Sequence, residues 1–277
     1  IADYRGLDSE QVFVGVGSDE VIDLSIRMFC EPGKDQIMVT PPTYGMYKVS
    51  AAVNNVMVRQ IRLDKDFQLD TDRILKAANN KTKILFLCSP NNPTGNSLNR
   101  ADIEKVMQHF PGLVVLDEAY VDFSAEASLC GLINDYPNLI VMQTMSKAFG
   151  LAGIRLGIGL AQEDIIGYMM KVKAPYNINT LTSDAAIRAF DDTDLIQKRV
   201  KSLLSERDRL IEELLKVDAV KKIHPTDANF FLMIVKEARE VYRSLAVEGV
   251  IVRYRGDEPG CKNGLRVSVG TTEENNR

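Results

Sequence analysis

The chain has no tryptophan and only two histidines, His109 and His224, far apart in its 277 residues. That scarcity argues against a zinc site built from histidine and cysteine. Four cysteines, Cys30, Cys88, Cys130 and Cys261, are widely spaced and form no C-x-x-C pair. In a chain of this length they read as free thiols of a reducing compartment, acting as small apolar fillers. No excess of either charge exists: 34 Lys and Arg face 38 Asp and Glu, a net charge of −4. A nucleic-acid or acidic-membrane surface would need a basic face, so neither partner is expected. No apolar run approaches the roughly 18–20 residues of a membrane helix; the longest, Ile84–Cys88 and Leu113–Leu116, are strand-sized. A phosphate loop of the G-x-x-x-x-G-K-[ST] type is absent. Gly15-Val16-Gly17 begins like a dinucleotide fingerprint, but Glu20 stands where the third glycine belongs. The chain opens on Ile1, without Met, and shows no signal segment. A cytoplasmic setting is the expectation.

What is present is an ordinary globular balance, 45% hydrophobic and 26% charged, enough to bury a sizeable core. Short β-branched runs alternate with helical patterns over the first two-thirds. Val12–Val16, Gln36–Thr40, Val56–Ile61, Lys83–Cys88, Gly112–Leu116, Leu139–Thr144 and Ile154–Leu160 read as strands. Helices are expected after Ser18, a potential N-cap, and over Thr71–Ala78 and Asn99–Phe110. This alternation predicts an α/β fold with a mostly parallel central sheet flanked by helices. Beyond about residue 180 the pattern changes to a long helix over Thr193–Val217. Strands at Phe230–Val235, Val250–Arg253 and Leu265–Val269 and a helix at Glu237–Val247 follow. The reading is a large domain over residues 1–180 and a smaller α+β domain over 181–277.

Ligands of open parallel sheets bind beyond the carboxyl ends of the strands. Polar residues gather there: Ser18-Asp19 after the first strand, Asn92 within Ser89–Gly95, Asp117 through Tyr120, and Thr144 through Lys147. Singly, each has an ordinary reading: Asp117 as a helix cap, Asn92-Pro93-Thr94-Gly95 as a turn, Lys147 as a solvated side chain. Together they describe one chemistry. A lysine amine can form a Schiff base with an aldehyde cofactor. A buried carboxylate such as Asp117 can keep a pyridine nitrogen protonated, making the ring an electron sink. Thr144, Ser146, Arg155 and the helix start at Ser18–Asp19 suit a phosphate. Asn92 and Tyr120 can hydrogen-bond a ring hydroxyl, and Tyr44 can stack on the ring.

Six segments occur in a familiar order. They are Gly17–Glu20, Thr40-Pro41-Pro42-Thr43-Tyr44-Gly45-Met46-Tyr47, Cys88–Gly95, Asp117-Glu118-Ala119-Tyr120, Thr144–Gly157 (with Ser146-Lys147) and Gly264–Gly270. With them, nearly the whole chain resembles the class II pyridoxal-phosphate aminotransferases of fold type I, and among these the histidinol-phosphate branch. The resemblance implies pyridoxal 5'-phosphate as cofactor and a homodimer with its sites at the subunit interface. It implies Lys147 as the Schiff-base lysine, Asp117 as the pyridine-nitrogen partner, and Tyr120 and Asn92 as ring-hydroxyl ligands. Ser18, Asp19, Thr144, Ser146 and Arg155 fall in or beside the phosphate cradle. Arg266 matches the arginine that grips the substrate carboxylate, and Arg253 the one expected on the substrate phosphate. Arg255 reads as a further candidate or a solvated side chain.

The implied reaction is ping-pong transamination between L-glutamate and imidazole-acetol phosphate, giving 2-oxoglutarate and L-histidinol phosphate. Two alternatives remain: an aromatic or broad-range aminotransferase, and a pyridoxal-phosphate-binding fragment without turnover. The family's pattern also carries a tyrosine-bearing N-terminal part of the small domain and a final helix outside Ile1–Arg277, so the sequence is expected to be incomplete.

Overall fold

A computed structural model describes all residues, Ile1–Arg277. Seven strands form the principal sheet: β1 (Val12–Val16), β2 (Gln36–Val39), β3 (Met57–Gln60), β4 (Thr82–Cys88), β5 (Leu113–Asp117), β6 (Leu139–Thr144) and β7 (Leu156–Leu160). Their order is β1-β7-β6-β5-β4-β2-β3. The β2–β3, β2–β4, β4–β5 and β5–β6 pairs are parallel, and β7 runs antiparallel to both β1 and β6. Central strands β5 and β6 are buried at every residue. Continuous apolar runs are what strands covered on both faces require. Each fully buried aliphatic or Phe side chain there contributes roughly 1.5–3 kcal/mol.

The helices are α1 (Ala2–Arg5), α2 (Ser18–Phe29), α3 (Met46–Val53), α4 (Thr71–Ala77), α5 (Arg100–His109), α6 (Glu163–Val172), α7 (Thr180–Phe190), α8 (Thr193–Leu214), α9 (Ala238–Val247) and α10 (Thr272–Asn275). Two large apolar clusters separate the faces of the sheet. Phe13, Ile22, Ile37 and Phe86 belong to one; Met38, Leu85, Leu87 and Leu116 belong to the other. Alternate residues of β4 therefore point to opposite faces, as the period of a strand demands.

A second, antiparallel sheet has the order β10-β11-β9-β8, from β8 (Val220–Ile223), β9 (Phe230–Val235), β10 (Arg253–Tyr254) and β11 (Gly264–Ser268). It carries its own apolar cluster around Phe231, Met233 and Leu265. No helix is long and apolar enough to cross a membrane. All four cysteines are buried and unpaired.

Two local expectations are corrected. The strand expected over Val250–Arg253 is the two-residue β10, because Ile251 is exposed and pairing with β11 begins only at Arg253. Ser18 does not cap α2; Gly17 occupies the N-cap with φ 70 and no side chain bonds to the helix start. The glycine is needed twice over. Its φ is positive, and a Cβ there would meet an Arg155 nitrogen at 2.7 Å. Gly157 of β7 completes the fit: a Cβ there would collide with the Ser18 nitrogen. The backbone of β7 thus abuts the first turn of α2.

Candidate active site

A cavity of about 560 Å³ opens at the carboxyl ends of β1, β4, β5 and β6. Ser18, Asp19, Tyr44, Asn92, Asp117, Tyr120, Thr144, Ser146, Lys147, Arg155 and Arg266 all line it. Of the site residues read from the sequence, only Arg253 is outside the lining. The structure places Arg253 on an exposed stretch of β10, directly opposite Arg266 in the register. Arg255, which reads as a solvated side chain, lines the cavity instead, and its buried Nε has no partner.

Asp117 closes β5 at the cavity floor. One carboxylate oxygen accepts the Ala119 N–H at 3.0 Å, the other the Tyr47 hydroxyl at 2.6 Å. Burial pushes its pKa up to about 6, against the lowering effects of those two hydrogen bonds and of the Lys147 charge. Lys147 follows β6. Its amine is held below the ordinary lysine range, first by burial and then by the charge of Arg266, with Asp117 opposing. Nζ lies 5.3 Å from the centroid of the Tyr120 ring. A depressed lysine beside a buried carboxylate is an arrangement suited to nucleophilic attack on a carbonyl.

On one side of Lys147 lies an anion cradle. The first-turn N–H groups of α2 are uncapped, and the positive end of the helix faces the cavity. Thr144 Oγ1 donates to Ser146 Oγ at 2.9 Å, so the two hydroxyls are already gathered. Arg155 sits in the left-handed region at φ 55, a conformation rarely adopted by residues with a side chain. The carboxylate of Asp19 is turned toward Arg155, at 3.8 Å, and accepts a hydrogen bond from Tyr44 at 3.4 Å. Only its backbone N–H therefore suits an anion.

Opposite the cradle, Arg266 projects from β11. Its Nη1 donates to Asn92 Oδ1 at 2.7 Å, while its buried Nε has no partner. Asn92 is itself fixed by a loop in which Asn91 donates to the Pro42 carbonyl at 2.9 Å and to Thr94 at 2.7 Å. Burial draws the Arg266 pKa down, and the charges of Arg255 and Arg253 draw it further. Opposed residues of an antiparallel pair share a face, as do residues two apart in a strand. The Arg255 N–H continues the pairing, donating to the Gly264 carbonyl at 2.8 Å. Arg253, Arg255 and Arg266 therefore form one cationic face, and the R-x-R spacing beside a strand is the signal that could have found it.

The donor set fits pyridoxal phosphate. Free amides, paired hydroxyls and an arginine suit its phosphate, a depressed lysine its aldehyde, and a buried carboxylate its ring nitrogen. The space is kept open where a Cβ on Gly17 would collide with Arg155. Two further lining or supporting residues escape the sequence reading: Thr43, whose buried hydroxyl has no partner, and Tyr47 behind Asp117.

The family model described as aminotransferase class I and II matches residues 1–277. The chain belongs to that family. This aminotransferase is 48% identical over 275 residues to the histidinol-phosphate aminotransferase of Flavobacterium johnsoniae, covering 99% of the chain and 79% of that relative. Its fold superposes with a TM-score of 0.91 on the crystal structure of the histidinol-phosphate aminotransferase from Clostridium acetobutylicum, at 27% identity, covering 99% of the chain and 83% of the other. A further TM-score of 0.91 relates it to the Sinorhizobium meliloti histidinol-phosphate aminotransferase in complex with pyridoxal-5'-phosphate, at 23% identity, covering 99% and 76% of the two chains. At that identity the likeness is one of fold. The seven-stranded, mostly parallel sheet and the smaller antiparallel sheet are thus those of the aminotransferases.

Proposed function

We propose that this chain is a histidinol-phosphate aminotransferase. It transfers an amino group between L-glutamate and imidazole-acetol phosphate in L-histidine biosynthesis, with pyridoxal 5'-phosphate as cofactor. The observation that carries the reading is the pair Arg255 and Arg266 across the cavity from Lys147, with Arg253 beside them, outside the cavity, opposite Arg266 in the small sheet. A substrate that presents a carboxylate in one half-reaction and a phosphate in the other needs such a face. The 48% identical Flavobacterium johnsoniae relative, a histidinol-phosphate aminotransferase, supports histidinol phosphate as one member of the pair.

When bound, pyridoxal phosphate supplies an aldehyde for the amine and a ring that withdraws electrons from the substrate carbon. The protein's residues do the rest. Lys147 holds its charge less firmly than a solvated lysine, because burial and Arg266 disfavour it, and its Nζ can carry a proton to and from the substrate carbon. Asp117 would set a negative charge at the cavity floor against the ring nitrogen. Asn92 and Tyr120 would hydrogen-bond the ring hydroxyl. Ser18 and Asp19 offer backbone N–H groups, and Thr144, Ser146 and Arg155 side chains, to the phosphate. Arg266 offers a planar fork that a lysine cannot imitate.

An aromatic aminotransferase would have little use for three clustered arginines. A paired assay of histidinol phosphate and phenylalanine, each with 2-oxoglutarate, separates the two readings; faster turnover of phenylalanine would overturn the one proposed. The arginines give a sharper test. Arg255→Gln should raise the apparent KM for histidinol phosphate about ten- to a hundredfold, the worth of one charge-assisted contact. Glutamate should suffer less, since its side-chain carboxylate carries less charge. Arg253→Gln should act in the same direction but more weakly, because Arg253 is exposed. Single-turnover measurements of each half-reaction provide the comparison, and equal damage to both substrates would remove the phosphate role.

The two sheets support a division into a large cofactor-holding domain, residues 1–180, and a smaller domain, residues 181–277. Buried free thiols suit a cytoplasmic enzyme. A homodimer completes the proposal. Exposed Val16, Val49 and Val53 line an open depression that shares Met46, Val49 and Asp19 with the active cavity. Apolar surface continuous with a site is what an interface through that site would cover. Val53→Glu, at a side chain 75% exposed, should shift sedimentation toward monomer and weaken cofactor retention. A fully active monomer of the unaltered chain would contradict the assembly.

A further inference from the structure

The buried hydroxyl behind the cavity floor has a role of its own. Tyr47 has no exposed surface, although it ends in a polar group that must find a partner. Its hydroxyl donates to Asp117 Oδ2 at 2.6 Å. Its ring stacks on Phe86 of β4, with centroids 4.7 Å apart and an interplanar angle of 12°, and meets Tyr44 edge-on at 5.5 Å and 82°. Tyr47 therefore has little freedom to follow Asp117; the carboxylate must come to the hydroxyl. The other carboxylate oxygen is fixed by the Ala119 N–H at 3.0 Å. Two rigid donors on two oxygens define the carboxylate plane.

We propose that Tyr47 is the positioning residue for Asp117, setting both the orientation and the negative charge of the carboxylate that meets the cofactor's ring nitrogen. The inference rests on the proposed pairing of Asp117 with that nitrogen. Asp117 is faced by Asp19 from α2, Tyr44 and Tyr47 from the α3 segment, Cys88 from β4, Tyr120, and Lys147. Burial disfavours its charge, and the hydrogen bond from Tyr47 leads the effects that oppose burial. Lys147 adds a weaker favourable charge and Asp19 an unfavourable one. Without the hydroxyl, the carboxyl of the cofactor-free protein takes up its proton at higher pH. Below that pH it must release the proton before it can pair with a protonated ring. Above that pH no such cost exists.

The test is the affinity for pyridoxal phosphate, measured by equilibrium dialysis between pH 6 and pH 8.5. Tyr47→Phe retains the ring and removes only the donor. For a rise of one pKa unit from about 6, it should bind the cofactor about fivefold more weakly than the unaltered protein at pH 6. The ratio should approach one at the alkaline end. Phe86→Leu loosens the stack and keeps the hydroxyl, so any pH-dependent weakening it causes should be clearly smaller than that of Tyr47→Phe. Asp117→Asn, measured alongside, removes the acceptor. A Tyr47→Phe deficit that is constant with pH, or one that Phe86→Leu reproduces with the same pH dependence, would overturn the positioning role while leaving the Asp117 pairing intact. Unchanged affinity and unchanged cofactor absorbance in Asp117→Asn would overturn both. Thermal melting of each variant checks that the fold is retained.

Discussion

Lys147→Ala should abolish transamination while leaving a protein that still holds pyridoxal phosphate by its phosphate end. Removing the amine removes the proposed nucleophile and proton carrier together, and acid–base transfer alone is worth roughly 10²–10⁴-fold in rate. The cradle is separate from that amine: the uncapped start of α2, the Thr144–Ser146 hydroxyl pair and Arg155 do not depend on it. Cofactor retention should therefore fall much less than turnover. Borohydride treatment of the unaltered protein should fix the cofactor to a peptide containing Lys147. Labelling of any other lysine would reassign the site. The lowered pKa of this amine also has a direction in pH. Its neutral form is available at a lower pH than for a solvated lysine, so cofactor linkage should persist to correspondingly lower pH.

Asp117→Asn should cut turnover by about 10²–10³-fold, the usual cost of removing one preorganised electrostatic partner. Its effect on cofactor binding should be smaller, about ten- to a hundredfold for one charge-assisted contact. The same substitution should stabilise the cofactor-free protein. Burial raises the Asp117 pKa from 3.8 to about 6, so the folded chain binds this proton more tightly than the unfolded chain. The resulting penalty is absent below the unfolded value, grows as pH rises between the two, and is complete above about 6. That difference corresponds to about 3 kcal/mol at neutral pH. Denaturant unfolding of the cofactor-free proteins should show Asn ahead at pH 7 and the gap closing near pH 4. Near-normal turnover in this variant would refute the catalytic role, and equal stability at pH 7 would refute the buried charge.

Much of this was open to reading because the principal sheet is built from local signals. Runs such as Ile84–Leu87 and Val114–Leu116 are long enough and apolar enough to be strands covered on both faces. The chemistry follows directly after four of them, so the strand ends locate the site. The missed elements lack those signals. Helix α3 follows the turn-forming Pro41-Pro42-Thr43 and has no side-chain cap, and β8 is a short strand with no fully buried residue. Arg255 reads as a surface residue because its burial is created by β11, which lies further along the chain. Tyr47 stands inside a recognised segment, yet its partner Asp117 is 70 residues away, and only the packed sheet joins them.

The antiparallel strand β7 has a consequence for how this protein can change. Thr144 pairs with Gly157 across the β6–β7 hairpin, and the intervening loop alone carries Ser146, Lys147 and Arg155. Elsewhere a parallel strand is followed by a crossover whose length can drift without disturbing the next strand's end. Here ladder hydrogen bonds hold both ends of the loop, with Lys147 three residues after one end and Arg155 two before the other. A change of length close to either end would shift the amine or the guanidinium, whereas the exposed middle around Gly150 and Gly153 has open space to absorb one.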